Sequence, residues 1–469
     1  MAPNIGSQFL EGIIRAFGQA QEEQNGYALA ETISPVPPKH DSGRLYAIYR
    51  SVNAYSVQND LRYALNDPHL DKGEAAAWVE VYVAYWKAVG AILAAEEAQN
   101  VGDHDERGSN ADWTRVYESW KEVLNAVRRG YQTSKFDAWT IPCLYITSKY
   151  LRVFAIKADD SARHKKDNNV SGAVFGDDMV DEEANNEKLE DAARQINSIF
   201  GLCLSDRAPL EDSRKYGVYY IASLLFKTYF RLNSISLSKN ILRPIAVAAG
   251  DMPPLGVFPK SHQVTFNYYV GVVHFLDEDY QKAEEYLSKA YDQALASSTG
   301  NIQLILTYLI PIRLITNHKL PSSALLAQYP SLERLFAPVC KCIKRGDLAG
   351  FDAAIQAGED EFVKRRILLT LERGRDICVR NVFRKVFLAG GFEPTKEGEA
   401  PSEPVRRVRI PIDEFTAGLR MAGEKDIDRD EVECFLANMI YKNHMKGYIS
   451  RGHAMVVLNK KGAFPGTGV

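Results

Sequence analysis

MIYKNHMKGYISRGHAMVVLNKKGAFP, residues 439–465, decides the reading of this chain. Its first residues complete an amphipathic helix. Asp428 is a good N-cap, and Glu431 stands three positions later at capping-box spacing. Val432, Phe435, Leu436, Met439 and Ile440 then fall at i, i+3, i+4, i+7 and i+8, one apolar face. Gly447 is expected to stop that helix. Beyond it, Tyr448-Ile449 reads as a strand, Arg451-Gly452 as a turn and Met455–Leu458 as a second strand.

A lone two-stranded hairpin is marginal in water, so these strands need a third. VRRVRIPI, residues 405–412, supplies it: Val405, Val408 and Ile410 alternate with arginines in strand fashion. DEFTAGLRMAG forms a short helix between them, and DEFVKRRILLTLERGRDICVRNVFRKVFLAG predicts two helices before them, broken near Gly374. Helices, strand, helix, helix, strand, turn, strand is the order of a winged helix, a helix-turn-helix variant with a β-hairpin wing.

Upstream the chain predicts helices stacked as repeats. Phe9, Leu10, Ile13, Ile14 and Phe17 mark one face of an opening helix, before TISPVPPKHDSG breaks it. AAAWVEVYVAYWKAVGAILAAEEAQ, ADWTRVYESWKEVLNAVRRGY and AWTIPCLYITSKYLRVFAIKAD follow, the last with Pro142 near a helix start. HQVTFNYYVGVVHFLDEDYQKAEEYLSKAYDQALAS, from His262, is the most regular stretch. Gly271, Ala283, Leu287 and Ala290 occupy the small-residue skeleton of a tetratricopeptide repeat, with Asp277-Glu278-Asp279 as the turn. Asn267 replaces the usual leading Trp, and no second copy recurs at a fixed period. The expected fold is therefore mainly α, a TPR-like helical-repeat solenoid ending in a winged helix. Its expected parts are N-terminal helical repeats over 1–158, an acidic flexible linker over 159–190, TPR-like repeats over 191–358 and the winged-helix part over 359–465.

Composition narrows the function. The chain has 469 residues, 46% of them hydrophobic and 25% charged, enough for two or three packed domains. The net charge is −3. From Asp360 onward, however, 20 Lys and Arg face 16 Asp and Glu, a local excess of +4. No secretory signal opens the sequence, and no unbroken apolar run approaches the ~18 residues of a membrane span, so no membrane role is expected. Six cysteines are too sparse for a disulfide framework and suggest a reducing, intracellular setting.

Chemistry is not expected. The nine histidines include no H-x-H pair and no H-E-x-x-H. Cys340-Lys341-Cys342 lacks a second ligand pair at zinc spacing, GAFPGTG has the wrong glycine spacing for a P-loop, and no G-x-S-x-G occurs. The sequence predicts no catalytic residue, metal or cofactor.

Binding is expected at the winged helix, in two forms. Arg406, Arg407, Arg409, Lys442, Lys446, Arg451, Lys460 and Lys461 are candidates for nucleic-acid contact through phosphates rather than bases. Basic residues in the last turn of a helix also serve its dipole, which is the plainer account of Lys442 and Lys446. Tyr448, Met455 and Val457 are candidates for partner binding, helped by the edge strand a wing leaves open. KSHQVTFNYYV and the basic residues of RRILLTLERGR would suit an acidic peptide.

A helical array running straight into a winged helix resembles the PCI domain shared by subunits of the proteasome lid, the signalosome and a translation initiation complex. NYYVGVVHFLDEDYQKAEEYLSKA, LTYLIPIRLI, RNVFRKVFL and VECFLANMIYKNHMKGYIS are similar to the PCI subfamily named after the signalosome-associated twelfth subunit. That subfamily includes the PCI subunit of TREX-two, the nuclear-pore-linked mRNA export complex. The likeness runs from Lys215 to Pro465. It implies a non-enzymatic, nuclear subunit acting in transcription-coupled mRNA processing or export. Such a subunit pairs through its winged helix with a GANP-type PCI scaffold and a small acidic DSS-type protein, and helps hold RNA or DNA. The alternative it leaves open is an accessory subunit of the signalosome, the deneddylation complex, with a purely protein-binding role.

Overall fold

A computed structural model describes residues 5–65, 70–102, 111–134, 136–170, 186–392 and 406–467. Val405, the Pro/Gly-rich loop before it and the centre of the 159–190 segment lie outside these residues. The chain divides into two compact units, residues 1–266 and 267–469.

Among its described residues the first unit holds helices and connecting turns but no strand. Its long helices are Lys72–Gly102, Trp113–Thr133, Pro142–Val170, Glu187–Leu204 and Val218–Arg231. The aromatic residues that marked these stretches form the core: Trp78, Tyr85, Tyr117 and Trp120 are fully buried. Trp78 stacks on Phe136 at 4.3 Å, and the Trp120 indole donates to the Thr147 carbonyl at 2.9 Å, so its one polar group is satisfied. Lys72–Asn100 is long and apolar enough to cross a bilayer, which a search for unbroken apolar runs overlooks because Glu74, Glu80 and Lys87 interrupt it. Here 67% of its apolar window is buried inside the unit, as in the core helix of a packed array.

The stretch read as a linker is helical at both ends. The helix begun by Pro142 continues to Val170, and the next begins at Glu187. Asp159 joins them: its carboxylate accepts from the backbone N–H of Lys188 and Leu189, at 3.1 and 2.9 Å. Two first-turn N–H groups with no partner inside their own helix thus find one at distant Asp159.

In the second unit, Tyr280–Gln293 packs against the residues around Gly271 as the repeat skeleton requires. A Cβ on Gly271 would lie 2.6 Å from the Leu287 side chain. Ala283, Leu287 and Ala290 are buried, Asp279 caps the helix, and Glu278 makes the turn at φ 61°. Helices Thr299–Asn317, Pro330–Arg345 and Leu348–Ala357 continue the array.

The winged helix closes the unit. Its helices are α1 (Arg375–Ala389), α2 (Ile412–Ala422) and α3 (Arg429–Tyr441), and its strands β1 (Arg409–Pro411), β2 (Gly447–Ser450) and β3 (Met455–Leu458). The stretch before α1 forms two short helices rather than one, Glu359–Lys364 and Leu368–Glu372, because Arg366 turns left-handed at φ 57°. The third strand is where the hairpin needed it: the sheet order is β1-β3-β2, both pairings antiparallel.

One detail corrects the sequence reading. The helix ends at Tyr441 and Asn443, at φ 57°, turns the chain, not Gly447. Gly447 instead opens β2, where a Cβ would lie 2.4 Å from the Val457 carbonyl oxygen. Glycine is needed there for close strand approach, not for a helix cap.

The module is keyed to the helices before it. Gly423, at φ 122°, ends the turn after α2 so closely that a Cβ would sit 2.5 Å from the Ala349 side chain. Arg375 of α1 bonds Asp352 at 3.0 Å and also Glu424. His318, capping Thr299–Asn317 in a left-handed conformation, meets His444 edge-on at 4.8 Å. Buried Arg380 donates to the carbonyls of His444 and Pro465, tying α1 to the turn after α3 and to the tail after β3.

Candidate functional site

The candidate surface is built on the three-stranded sheet. Its alternation sorts side chains by face: Ile410, Val456 and Leu458 are buried toward the helices. The register then places Arg409, Val457 and Tyr448 in one row across the other face, with Pro411, Met455 and Ser450 in the next. Tyr448 is 62% exposed, and Val457 and Met455 are half-buried. The three apolar candidates thus share one outward face, with Arg409 at its margin. Strand addition is a separate matter. Met455 and Val457 lie on β3, the central strand, whose edges are both paired; the open edges belong to β1 and β2.

α3 is held as its sequence predicts. Asp428 accepts from the Glu431 N–H at 2.8 Å while the Glu431 side chain accepts from the Asp428 N–H at 3.1 Å, and Val432, Leu436 and Met439 are buried. Its exposed N-terminal side is acidic. Glu424, Asp426, Asp428, Asp430 and Glu431, against one base, Lys425, line a groove of about 980 Å³ beside the α2–α3 turn. Phosphates would be repelled there, so α3 does not offer itself to a major groove as a recognition helix does.

The eight basic candidates separate once placed. Arg407 bonds Glu414 at 2.5 Å, Lys442 bonds Asp376 at 2.5 Å, and Arg451 lies 3.4 Å from Glu433 and 3.7 Å from Asp430. The Arg406 guanidinium sits 4.8 Å over the Phe392 ring and 6.0 Å over Phe387. Arg409, Lys446, Lys460 and Lys461 make no ion pair among the described residues. These four gather toward one end of the sheet, where the Asn459 N–H donates to the Lys446 carbonyl and Lys460 and Lys461 follow directly. Arg451 lies at the other end, roughly 10 Å along the strands. The structure thus groups half of the patch and uses the rest internally.

The stretch proposed for an acidic peptide is similarly engaged: Arg365 pairs with Glu361 at 3.1 Å and Arg373 with Glu278 at 2.8 Å, leaving Leu369 exposed between them.

Among the described residues, no three His, Cys, Asp or Glu side chains converge as a metal site. Burial pushes the Cys340 thiol up to about 12, which keeps it protonated and unreactive near neutral pH. His318 is pushed down to about 4 by burial, then by Arg380 and His444, so it is a neutral packing ring.

One set of cations escaped the sequence reading. In the first unit, Lys149, Arg152 and Lys227 come together from helices Pro142–Val170 and Val218–Arg231. They are far apart in sequence, and only the pairing of the two helices makes them neighbours.

A profile described as the PCI domain matches residues 359–460. The chain is 52% identical over 470 residues to the Protein CSN12 homolog of Neurospora crassa, spanning 98% of this chain and 100% of that one. Against the Protein CSN12 homolog of Schizosaccharomyces pombe the identity is 38% over 365 residues, covering 78% and 79%. PCI domain-containing protein 2 of Xenopus laevis is 33% identical over 358 residues, covering 76% and 80%.

Proposed function

Because the chain belongs to the family of PCI proteins comprising the CSN12 homologues and PCI domain-containing protein 2, a scaffold-type family, we propose that it is an assembly subunit without catalysis of its own. It pairs with a second, GANP-type PCI protein and a small acidic DSS-type subunit in a nuclear complex of transcription-coupled mRNA processing or export. It also contributes to RNA or DNA binding there. The observation that carries this reading is the outward face of the winged sheet. Tyr448, Val457 and Met455 form an apolar patch across two neighbouring rows that the module's own core does not consume, on a module keyed to the preceding helices. Aromatic anchors on a rigid frame are what a hot spot needs. Nucleic acid, on this reading, meets Arg409, Lys446, Lys460 and Lys461 through its phosphates.

The test is affinity purification of the tagged full chain, wild type against Tyr448→Asp and Val457→Asp. The expected result is a second PCI protein and a small acidic subunit with wild type, lost from both variants while their circular dichroism is unchanged. Retained assembly rules out this face. Recovery of signalosome subunits would favour the protein-binding alternative to which the relatives' name points. RNA affinity unchanged in Arg409→Glu/Lys460→Glu/Lys461→Glu would remove the basic patch.

A further inference from the structure

Helices Pro142–Val170 and Val218–Arg231 lie side by side and run parallel. The Tyr145 and Tyr220 rings meet at 4.2 Å, tilted by 33°; seven residues on in each, Arg152 donates to the Lys227 carbonyl at 3.2 Å; further still, Arg231 pairs with Asp160 at 3.4 Å. Parallel neighbours are what every second helix of a repeat array gives. Such a pair aligns equivalent positions into a continuous face, here with rings at one level and cations at the next.

The ring level consists of Tyr145 and Tyr220, with His262 at 5.6 and 5.0 Å from them and Tyr27, 59% exposed, beside both tyrosines. The cation level consists of Lys149, Arg152 and Lys227, with the Lys149 ammonium 5.0 Å from the Tyr150 ring centroid. Neither Lys149 nor Lys227 has a carboxylate partner among the described residues. Burial, then the like charges of Arg152 and Lys149, hold the Lys227 ammonium below the ordinary lysine range. A half-buried ammonium beside like charges and with no carboxylate partner opposes folding, so an anionic ligand on this face would relieve Lys227.

We propose that this face of the N-terminal unit binds single-stranded RNA, phosphates against Lys149, Arg152 and Lys227 and a base against Tyr27 and Tyr220. Charge complementarity calls for a polyanion, and the rings choose among polyanions: bases stack on tyrosine, whereas an acidic peptide would leave the rings unused. The site uses no residue of the winged helix and stands or falls apart from the patch there.

The experiment measures anisotropy of a fluorescein-labelled 15-nucleotide oligouridylate with the full chain over a salt series. Lys149→Glu/Lys227→Gln is expected to weaken binding about tenfold or more and to flatten the log–log salt slope by about 1.4, two phosphate contacts. Tyr27→Ala is expected to cost about fivefold or more with the slope unchanged, the mark of lost stacking. Unchanged affinity in a double variant that melts like wild type overturns the proposal. So does loss of binding confined to Arg409→Glu/Lys460→Glu/Lys461→Glu, or labelled polyglutamate outbinding the RNA and depending on the same two lysines. Should the double variant fail to fold, crosslinking wild type to 4-thiouridine RNA decides: an adduct on Tyr27 or Tyr220 supports the site, and adducts found only elsewhere overturn it.

Discussion

In the winged helix, Arg407, Lys442 and Arg451 each stand within ion-pair distance of a carboxylate of the same module, and Arg406 is spent on two phenyl rings. In the N-terminal unit, Lys149 and Lys227 crowd beside Arg152 with no carboxylate answering either lysine among the described residues. The sequence points the other way, since its excess of basic residues lies after Asp360 and the preceding residues sum to about −7. A count of charges along a chain measures composition, whereas the field a ligand meets depends on which charges the fold has already paired. The denser group is the more neutralised.

The same contrast holds for packing, and four substitutions probe it. Trp120→Ala, at the fully buried centre of the first unit, should cost about 3–5 kcal/mol in urea unfolding. Little loss would mean that the aromatic core is less interlocked than its contacts. Gly447→Val should cost up to about 3 kcal/mol by forcing a branched Cβ against the Val457 carbonyl, and should prise β2 from β3. A variant as stable as wild type would show that the wing has room that the register denies.

An acid titration sharpens the difference next. Burial alone would raise the Asp206 carboxyl, but hydrogen bonds from the Arg214 side chain and backbone outweigh it and hold the group at about 2, below the ordinary aspartate value of 3.8. A depressed carboxylate stabilises fully above about pH 4 and loses that contribution as pH falls through 2. The amount is on the order of 2 kcal/mol. Asp206→Asn should flatten the stability profile over that interval, and an unchanged profile would refute the assignment. Smallest of all, Arg451→Ala should change stability by less than about 0.5 kcal/mol, because its side chain is 80% exposed and such pairs are screened. A larger loss would mean that the wing tip is a structural brace.

Much of the winged helix was legible beforehand because its signals are local. The Asp428–Glu431 box spans three residues, the apolar face of α3 repeats every turn, and a hairpin must find a third strand nearby. Gly447 misled because glycine has two uses, ending helices and permitting close approach, and a linear reading sees only the residue. Which use applies depends on Val457 across the strand pair. The linker reading erred at its margins for a related reason. Asp159 looks like the start of a charge run until the helix beginning at Glu187 turns its N–H groups toward it.

By itself the sequence determined the helical class, the repeat-like hairpin around Gly271 and the winged helix at the end. Each follows from periodicity and caps acting over a few residues, where chain connectivity alone brings the interacting groups together. Only the tertiary structure decided which cations stay available, that β3 is central and that Lys149, Arg152 and Lys227 share a face. Those outcomes depend on partners tens of residues apart, such as Lys442 with Asp376, and electrostatic energy depends on distance in space rather than along the chain.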